Sequence, residues 1–173
     1  PEVVAAFQDA ASDYGVGSSA SALVSGYTEC HAQLEDTLAE LTGFPSVMVV
    51  GSGYMANLAW MSSLLQRGTR LWMDRENHAS LWAGAQLCRA KILRYGPVKD
   101  MDFTKDFSGE LQQGDYWVSD GVFSMSGEKA PLPAIHAMLS CVQGHWICDD
   151  SHGFAVLGRG LQGSLGHHGM AVE

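Results

Sequence analysis

The sequence predicts an α/β fold, a mostly parallel sheet with helices on both faces. Three observations predict it. Short apolar runs alternate with stretches of helical period from residue 47 to residue 149, and such alternation means parallel strands joined by right-handed crossovers. Glycine, proline and small polar residues punctuate the junctions. Three of the apolar runs end in an acid, at Asp74, Asp120 and Asp149. Ligands of open α/β sheets sit outside the carboxyl ends of the strands, so these acids mark a candidate site.

The 173 residues suffice for one domain with a real core, and a hydrophobic fraction of 46% fits a globular protein. A net charge of −9 argues against a nucleic-acid partner, which would want clustered Lys and Arg. No apolar run is long enough to span a bilayer and no signal-peptide pattern opens the chain. Cys30, Cys88, Cys141 and Cys148 occur singly, which reads as reduced thiols in a cytoplasmic protein. The chain opens on Pro1 and stops at Glu173 just after Gly169-Met170-Ala171-Val172, so it reads as a fragment.

Taken in order, residues 1–22 form a helical piece and a loop, and Leu23 to Tyr27 turns into a helix. Leu34, Leu38 and Leu41 then share one helix face, and Gly43 and Pro45 end it. His31, in its first turn, reads equally as a capping histidine or a substrate-binding one. Val47 to Val50 is expected to be the first strand, and Gly51-Ser52-Gly53 breaks it before a helix over Tyr54 to Leu65. A strand, a glycine turn and a helix leave unpaired backbone N–H groups facing an anion. Arg70 to Asp74, Ile92 to Tyr95, Tyr116 to Asp120 and Trp146 to Cys148 supply the other strands. Helices are expected from Glu76 to Cys88, near Met101 to Phe107, and from Pro131 to Val142. A glycine-rich tail runs from Gly158 to Gly169.

The chain is organised around Trp146-Ile147-Cys148-Asp149-Asp150-Ser151-His152-Gly153. Asp149 and His152 are candidate functional groups, while Asp150 and Ser151 read equally as a solvated turn. Spacing alone permits two other sites. Gly51-Ser52-Gly53-Tyr54-Met55-Ala56 with Asp74 matches a dinucleotide fingerprint. Ser52, Asp149 and His152 stand in hydrolase order, but Val50 and Tyr54 occupy the glycine positions of a nucleophile elbow. His152, His167 and His168 could be drawn as zinc ligands, yet a glycine-rich tail offers them no scaffold, and no metal is expected.

Together the segments resemble the α-oxoamine synthases, fold-type I pyridoxal-phosphate (PLP) enzymes, from about Gly17 to Gly169. The resemblance rests on Val24-Ser25-Gly26-Tyr27 with His31 and Leu34-Glu35, and on Ser52-Gly53-Tyr54-Met55-Ala56-Asn57. It continues through Asn77-His78-Ala79-Ser80, Gly121-Val122-Phe123-Ser124-Met125 and Asp149-Asp150-Ser151-His152-Gly153. It implies that residues 23–173 belong to an incomplete PLP-binding large domain. It implies that Ser52, Gly53 and Tyr54 approach the cofactor phosphate and that His78 stacks on the pyridine ring. Asp149 would pair with the ring nitrogen, and His152 and Ser124 would lie near the phenolic oxygen. Two unit charges about 3 Å apart at an effective dielectric near 20 attract by roughly 5 kcal/mol, which would favour a protonated ring, the electron sink for a carbanion. Asp120 stands where the family carries Glu, which leaves its role open.

The tail from Gly158-Arg159-Gly160 to His167-His168-Gly169-Met170 resembles the branch that joins L-alanine to a pimeloyl thioester, on CoA or a carrier protein, with loss of carbon dioxide in biotin synthesis. Leu87 to Lys91 with Arg94-Tyr95 is compatible with a glycine-acetylating branch. The resemblance implies a homodimer acting on small molecules, with neither nucleic acid nor membrane as partner. It also places the Schiff-base lysine beyond Glu173, since Lys91, Lys99, Lys105 and Lys129 have other surroundings. The chain alone is therefore expected to be inactive. A nicotinamide-dependent oxidoreductase domain and a non-catalytic fragment are the competing readings.

Overall fold

The structure, a computed structural model, describes residues 1–103, 105–107 and 109–171. The chain forms two compact units, Pro1–Val49 and Val50–Glu173.

The first unit holds α1 (Glu2–Tyr14), a π-helical turn (Ala22–Gly26) and α2 (Glu29–Thr42). Thr28 and His31 close a capping box at the start of α2. Gly43 ends α2 in the left-handed region, at φ 79°, and its N–H bonds to the Ala39 carbonyl. The expected apolar face of α2 is not a core face, because no residue of this helix is buried and Leu34 is 46% exposed.

Val47 to Val50 is not a strand. A strand exists by ladder pairing, and here the Val49 N–H bonds at 2.9 Å to a side chain, the Glu35 carboxylate. That carboxylate also accepts the Tyr27 hydroxyl at 2.7 Å. The Val49 N–H, then the Tyr27 hydroxyl, hold the Glu35 carboxyl below its usual range.

The second unit carries a parallel sheet of β1 (Arg70–Asp74), β2 (Lys91–Tyr95), β3 (Tyr116–Asp120) and β4 (His145–Asp149), in the order β2-β1-β3-β4. Helices α3 (Gly53–Leu64), α4 (Ala79–Leu87) and α5 (Leu132–Ser140) surround it. Alternate side chains leave opposite faces of each strand. Trp72, Tyr95 and Trp117 join Phe107, Phe123 and the α5 residues Leu132, Ile135 and Leu139 on one side. Leu71, Met73 and Val118 join Met61 of α3 and Leu81 and Ala85 of α4 on the other. Both faces are thus covered, as parallel strands require, and each fully buried apolar side chain contributes about 1.5–3 kcal/mol.

At the amino ends of the strands, Arg70 Nε donates to Asp115 at 2.7 Å and the Trp72 indole N–H donates to the same carboxylate at 2.7 Å. Burial pushes the Asp115 carboxyl up, but the hydrogen bonds from Arg70 and Trp72 outweigh it and hold the group below its usual range.

Two further expectations change. The helix expected near Met101 to Phe107 is a 3-10 turn at Val98–Asp100 followed by turns; Thr104 lies outside the described residues. The glycine-rich tail is not a plain loop, since it holds a 3-10 turn (Arg159–Leu161) and α6 (Gly163–His167). His167 ends α6 and His168 caps it, so the histidine pair has a helical scaffold after all, and His168 is half-buried. Among the described residues no helix is long and apolar enough to cross a membrane.

Candidate active site

The register of β3 against β4 sets Asp120 beside Asp149 at the carboxyl edge of the sheet. Asp74 ends β1 at the same edge. The loops leaving this edge carry most of the candidate residues.

Asp149 is half-buried and accepts three hydrogen bonds. Asn57 Nδ2 donates to Oδ2 at 2.6 Å, while Ser151 donates to Oδ1 through its N–H at 3.1 Å and its hydroxyl at 2.6 Å. Asn57 Nδ2 also donates to Ser80 Oγ at 2.9 Å. The Asn57 side-chain oxygen Oδ1 accepts the Trp60 indole N–H at 3.1 Å. The Ser80 hydroxyl lies 2.7 Å from His78 Nδ1. His78 is the N-cap of α4, and its Nδ1 accepts the Ser80 N–H at 3.3 Å. Asp149 and His78, which come from separate sequence motifs, are therefore tied together by Asn57 and Ser80.

A second set of bonds pins the same loop to β3. Asn77 donates to the Val118 carbonyl at 2.8 Å and accepts the Asp120 N–H at 3.3 Å. The His78 N–H bonds to Asp120 Oδ2 at 3.1 Å. Asp120 is 2% exposed, and its Oδ1 is buried without a hydrogen-bond partner. Burial first, then the Asp149 charge, pushes its carboxyl up to about 7.

Ser52 caps α3, its hydroxyl accepting the Met55 N–H at 3.2 Å. The glycine turn lies near Asp149, because a Cβ built on Gly53 would be 3.6 Å from Ser151 Oγ. The N–H groups of Gly53 and Tyr54 lie in the first turn, where a helix has no carbonyl to offer them. Ser124 and His152 are exposed, and neither is hydrogen-bonded to the other site residues. His31 belongs to the first unit, where its Nδ1 lies 2.8 Å from the Thr28 hydroxyl and caps α2.

Several alternatives lose their geometry. Asp150 is not a solvated turn residue: it accepts the Ser164 N–H at 2.8 Å and also the Ser164 hydroxyl, and so anchors the start of α6. Asp74 is fully buried, and its two oxygens accept the Glu76 and Val98 N–H groups at 2.8 and 2.9 Å. No carboxylate is left there for a ribose, and no strand precedes Gly51 as a dinucleotide fingerprint requires. Among the described residues no group of three His, Cys, Asp or Glu is arranged to hold a metal.

The sequence alone assigns no role to Asn57, Asn77 or Ser80. A signal was present for two of them. The chain has only two asparagines, one inside the apolar run of α3 and one just before α4. An amide in an apolar helix is costly unless it is satisfied.

The rim fits a cationic aromatic ring. Asp120 and Asp149 lie side by side, and among the described residues neither takes part in an ion pair. The unpartnered Asp120 oxygen marks spare hydrogen-bonding capacity in the same place.

Comparison with known proteins points the same way. The family model for aminotransferase class I and II matches residues 1–166. The chain is 41% identical to 8-amino-7-oxononanoate synthase of Thioalkalivibrio sulfidiphilus, over 100% of this chain and 44% of that protein. It is 43% identical to the same enzyme of Pseudomonas savastanoi pv. phaseolicola, over 100% of this chain and 43% of that protein. Among solved structures, serine palmitoyltransferase of Sphingomonas wittichii is similar with a TM-score of 0.89 and 30% identity, covering 98% of this chain and 43% of that one. The serine palmitoyltransferase of S. paucimobilis, carrying a PLP-myriocin aldimine, gives 0.88 and 29%, with 98% and 43% covered. The 8-amino-7-oxononanoate synthase of Francisella tularensis gives 0.81 and 26%, with 96% and 45% covered. The chain thus spans less than half the length of the curated relatives it matches.

Proposed function

Because this chain belongs to the aminotransferase class I and II family, we propose that it is part of a PLP-dependent acyltransferase. The reaction is the decarboxylative condensation of L-alanine with a pimeloyl thioester, giving 8-amino-7-oxononanoate for biotin synthesis. Residues 1–22 are an amino-terminal segment, and residues 23–173 contribute the PLP-binding large domain of a cytoplasmic homodimer.

One observation carries this reading: Asp149 and His78 are joined across the carboxyl edge of the sheet by Asn57 and Ser80. Bound at this rim, PLP would supply an electron sink for negative charge at the amino acid's α-carbon. Asp149 would hold the ring nitrogen, its carboxylate kept in place by Asn57 and Ser151. His78 would lie against the ring face, fixed by its place at the start of α4. Ser52, Gly53 and Tyr54 would offer first-turn N–H groups of α3 to the phosphate. Ser124 and His152 would approach the phenolic oxygen from their exposed loops. Asp120 holds the backbone of His78.

The full-length protein, given PLP, L-alanine and pimeloyl-CoA, should form 8-amino-7-oxononanoate by mass spectrometry. The Asp149→Asn variant should keep the cofactor's absorbance but lose at least about 100-fold in turnover, since a neutral amide no longer favours the protonated ring. Preferential use of glycine with acetyl-CoA would move the protein to the neighbouring branch. Wild-type turnover by Asp149→Asn would remove the role given to that carboxylate.

A further inference from the structure

We propose that Asn57 and Ser80 are positioning residues that fix His78 as the Nε2–H tautomer and couple its imidazole to Asp149. The ring then offers the site a donor and not a lone pair. The inference deepens the functional reading above and rests on it only for the identity of the ligand.

The network's chemistry fixes each proton in turn. Asn57 is buried, and its amide can sit only one way round. Its oxygen takes the Trp60 indole N–H, which can only donate, and its nitrogen faces the Asp149 carboxylate, which can only accept while ionised. The flipped amide would set oxygen against carboxylate and N–H against N–H. The nitrogen's second proton goes to Ser80 Oγ. The Ser80 hydroxyl, already accepting from Asn57, keeps its own proton to donate, and His78 Nδ1 lies 2.7 Å away. The Ser80 backbone N–H points at the same nitrogen, and a backbone N–H is always a donor. Two donors therefore converge on Nδ1, which must carry the lone pair, and the ring proton sits on Nε2.

The fold reinforces this choice. Helix N-caps are ordinarily Ser, Thr, Asp or Asn, whose oxygen accepts a first-turn N–H. His78 fills that position with a ring nitrogen, and only the Nε2–H tautomer leaves Nδ1 free to accept. Its backbone is held from the opposite side by Asp120 Oδ2, and Asn77 is bonded twice to β3. Among the described residues Nε2 has no partner, and His78 is exposed. The presented N–H suits a carboxylate or carbonyl oxygen on a bound substrate.

The test is a two-bond proton–nitrogen correlation spectrum of the full-length protein with 15N-labelled histidine, the His78 signals identified by their loss in His78→Gln. It is run before and after addition of PLP. Without cofactor, the wild type should show the proton on Nε2. Ser80→Ala should move His78 toward a mixture of both tautomers, and Ser80→Thr, which restores the hydroxyl, should return it to the wild-type pattern. Asn57→Leu should shift the His78 signals and also the absorbance or circular dichroism band of added PLP, whereas Ser80→Ala should leave that band in place.

A wild-type proton on Nδ1, or equal averaging between the two nitrogens, would overturn the assignment even if every variant failed to fold. An Asn57→Leu change confined to one readout would overturn the coupling. Failure of PLP to bind a protein that shows the Nε2–H pattern would sink the functional reading and leave the tautomer standing.

Discussion

At the scale of single residues, the edge of the sheet concentrates carboxyl groups. Asp120 is buried, and Asp149, Asp74 and the His78 N–H are the charged or polar groups that set its proton affinity. Its ordinary value of 3.8 rises to about 7 in the folded protein, from burial first and the Asp149 charge second. An acid raised in this way binds a proton on folding between those two values. Stability is therefore undiminished below about pH 4, falls as pH rises, and stays lower above about pH 7. Asn at this position keeps an oxygen for the His78 N–H but has no charge to bury. In the cofactor-free full-length protein, Asp120→Asn should melt about 2–6 °C higher than wild type at pH 8, with the gap closing toward pH 4. Parallel melting curves across that range would show that Asp120 ionises freely.

The sequence made the place of Asp149 and His78 at the sheet edge legible, because each ends or follows an apolar run. Asn57 and Ser80 were not legible as their partners. What joins them is the contact of two helices that lie 23 residues apart in the chain at this point, and local patterning does not report such contacts.

At the scale of elements, helix starts agree with the sequence where a proline or a capping residue fixes the boundary. Helix α5 begins beside Pro131 and Pro133, and α3 begins at the Ser52 cap. The apolar run Val47 to Val50 misled, because strand propensity is only fitness for a pleated surface and no neighbouring strand pairs with it. The tail misled in the opposite direction. Its many glycines read as loop, but Asp150 bonds Ser164 and gives a five-residue helix a fixed start.

The contact that matters most for the site is between α3 and α4. Gly84 lies against α3, where an added Cβ would stand 2.3 Å from Met61 Sδ and 3.2 Å from the backbone oxygen of Asn57. The Met61 side chain can turn away, but the backbone of Asn57 cannot move without taking the amide off Asp149. Gly84→Val should therefore destabilise the protein by about 1–3 kcal/mol in denaturant titration. It should also disturb the His78 signals, although residue 84 touches neither His78 nor the cofactor position. A destabilised Gly84→Val with unchanged His78 signals would show that helix spacing does not set the site.

At the scale of the whole molecule, fold class followed from alternation alone, while function did not. A Gly-x-Gly turn after an apolar run fits dinucleotide, phosphate and structural readings equally. Only the full set of strand-edge groups separates them: Asp74 closed off by the Glu76 and Val98 N–H groups, Asp150 used for α6, Asp149 left facing the rim. Charge is unevenly spread as well. Seven of the ten Lys and Arg residues lie between Arg67 and Lys99, in a stretch with only two acids, within a chain of net charge −9. The first unit keeps large apolar side chains exposed, among them Phe7, Val16, Leu23 and Val24.

The most direct test of the central claim is a crystal structure of the full-length protein grown with PLP. The pyridine nitrogen should lie within about 2.7–2.9 Å of an Asp149 carboxylate oxygen, with the His78 ring against one face of the pyridine. A cofactor seated away from Asp149, or a nucleotide held at the Gly51-Ser52-Gly53 turn, would contradict it.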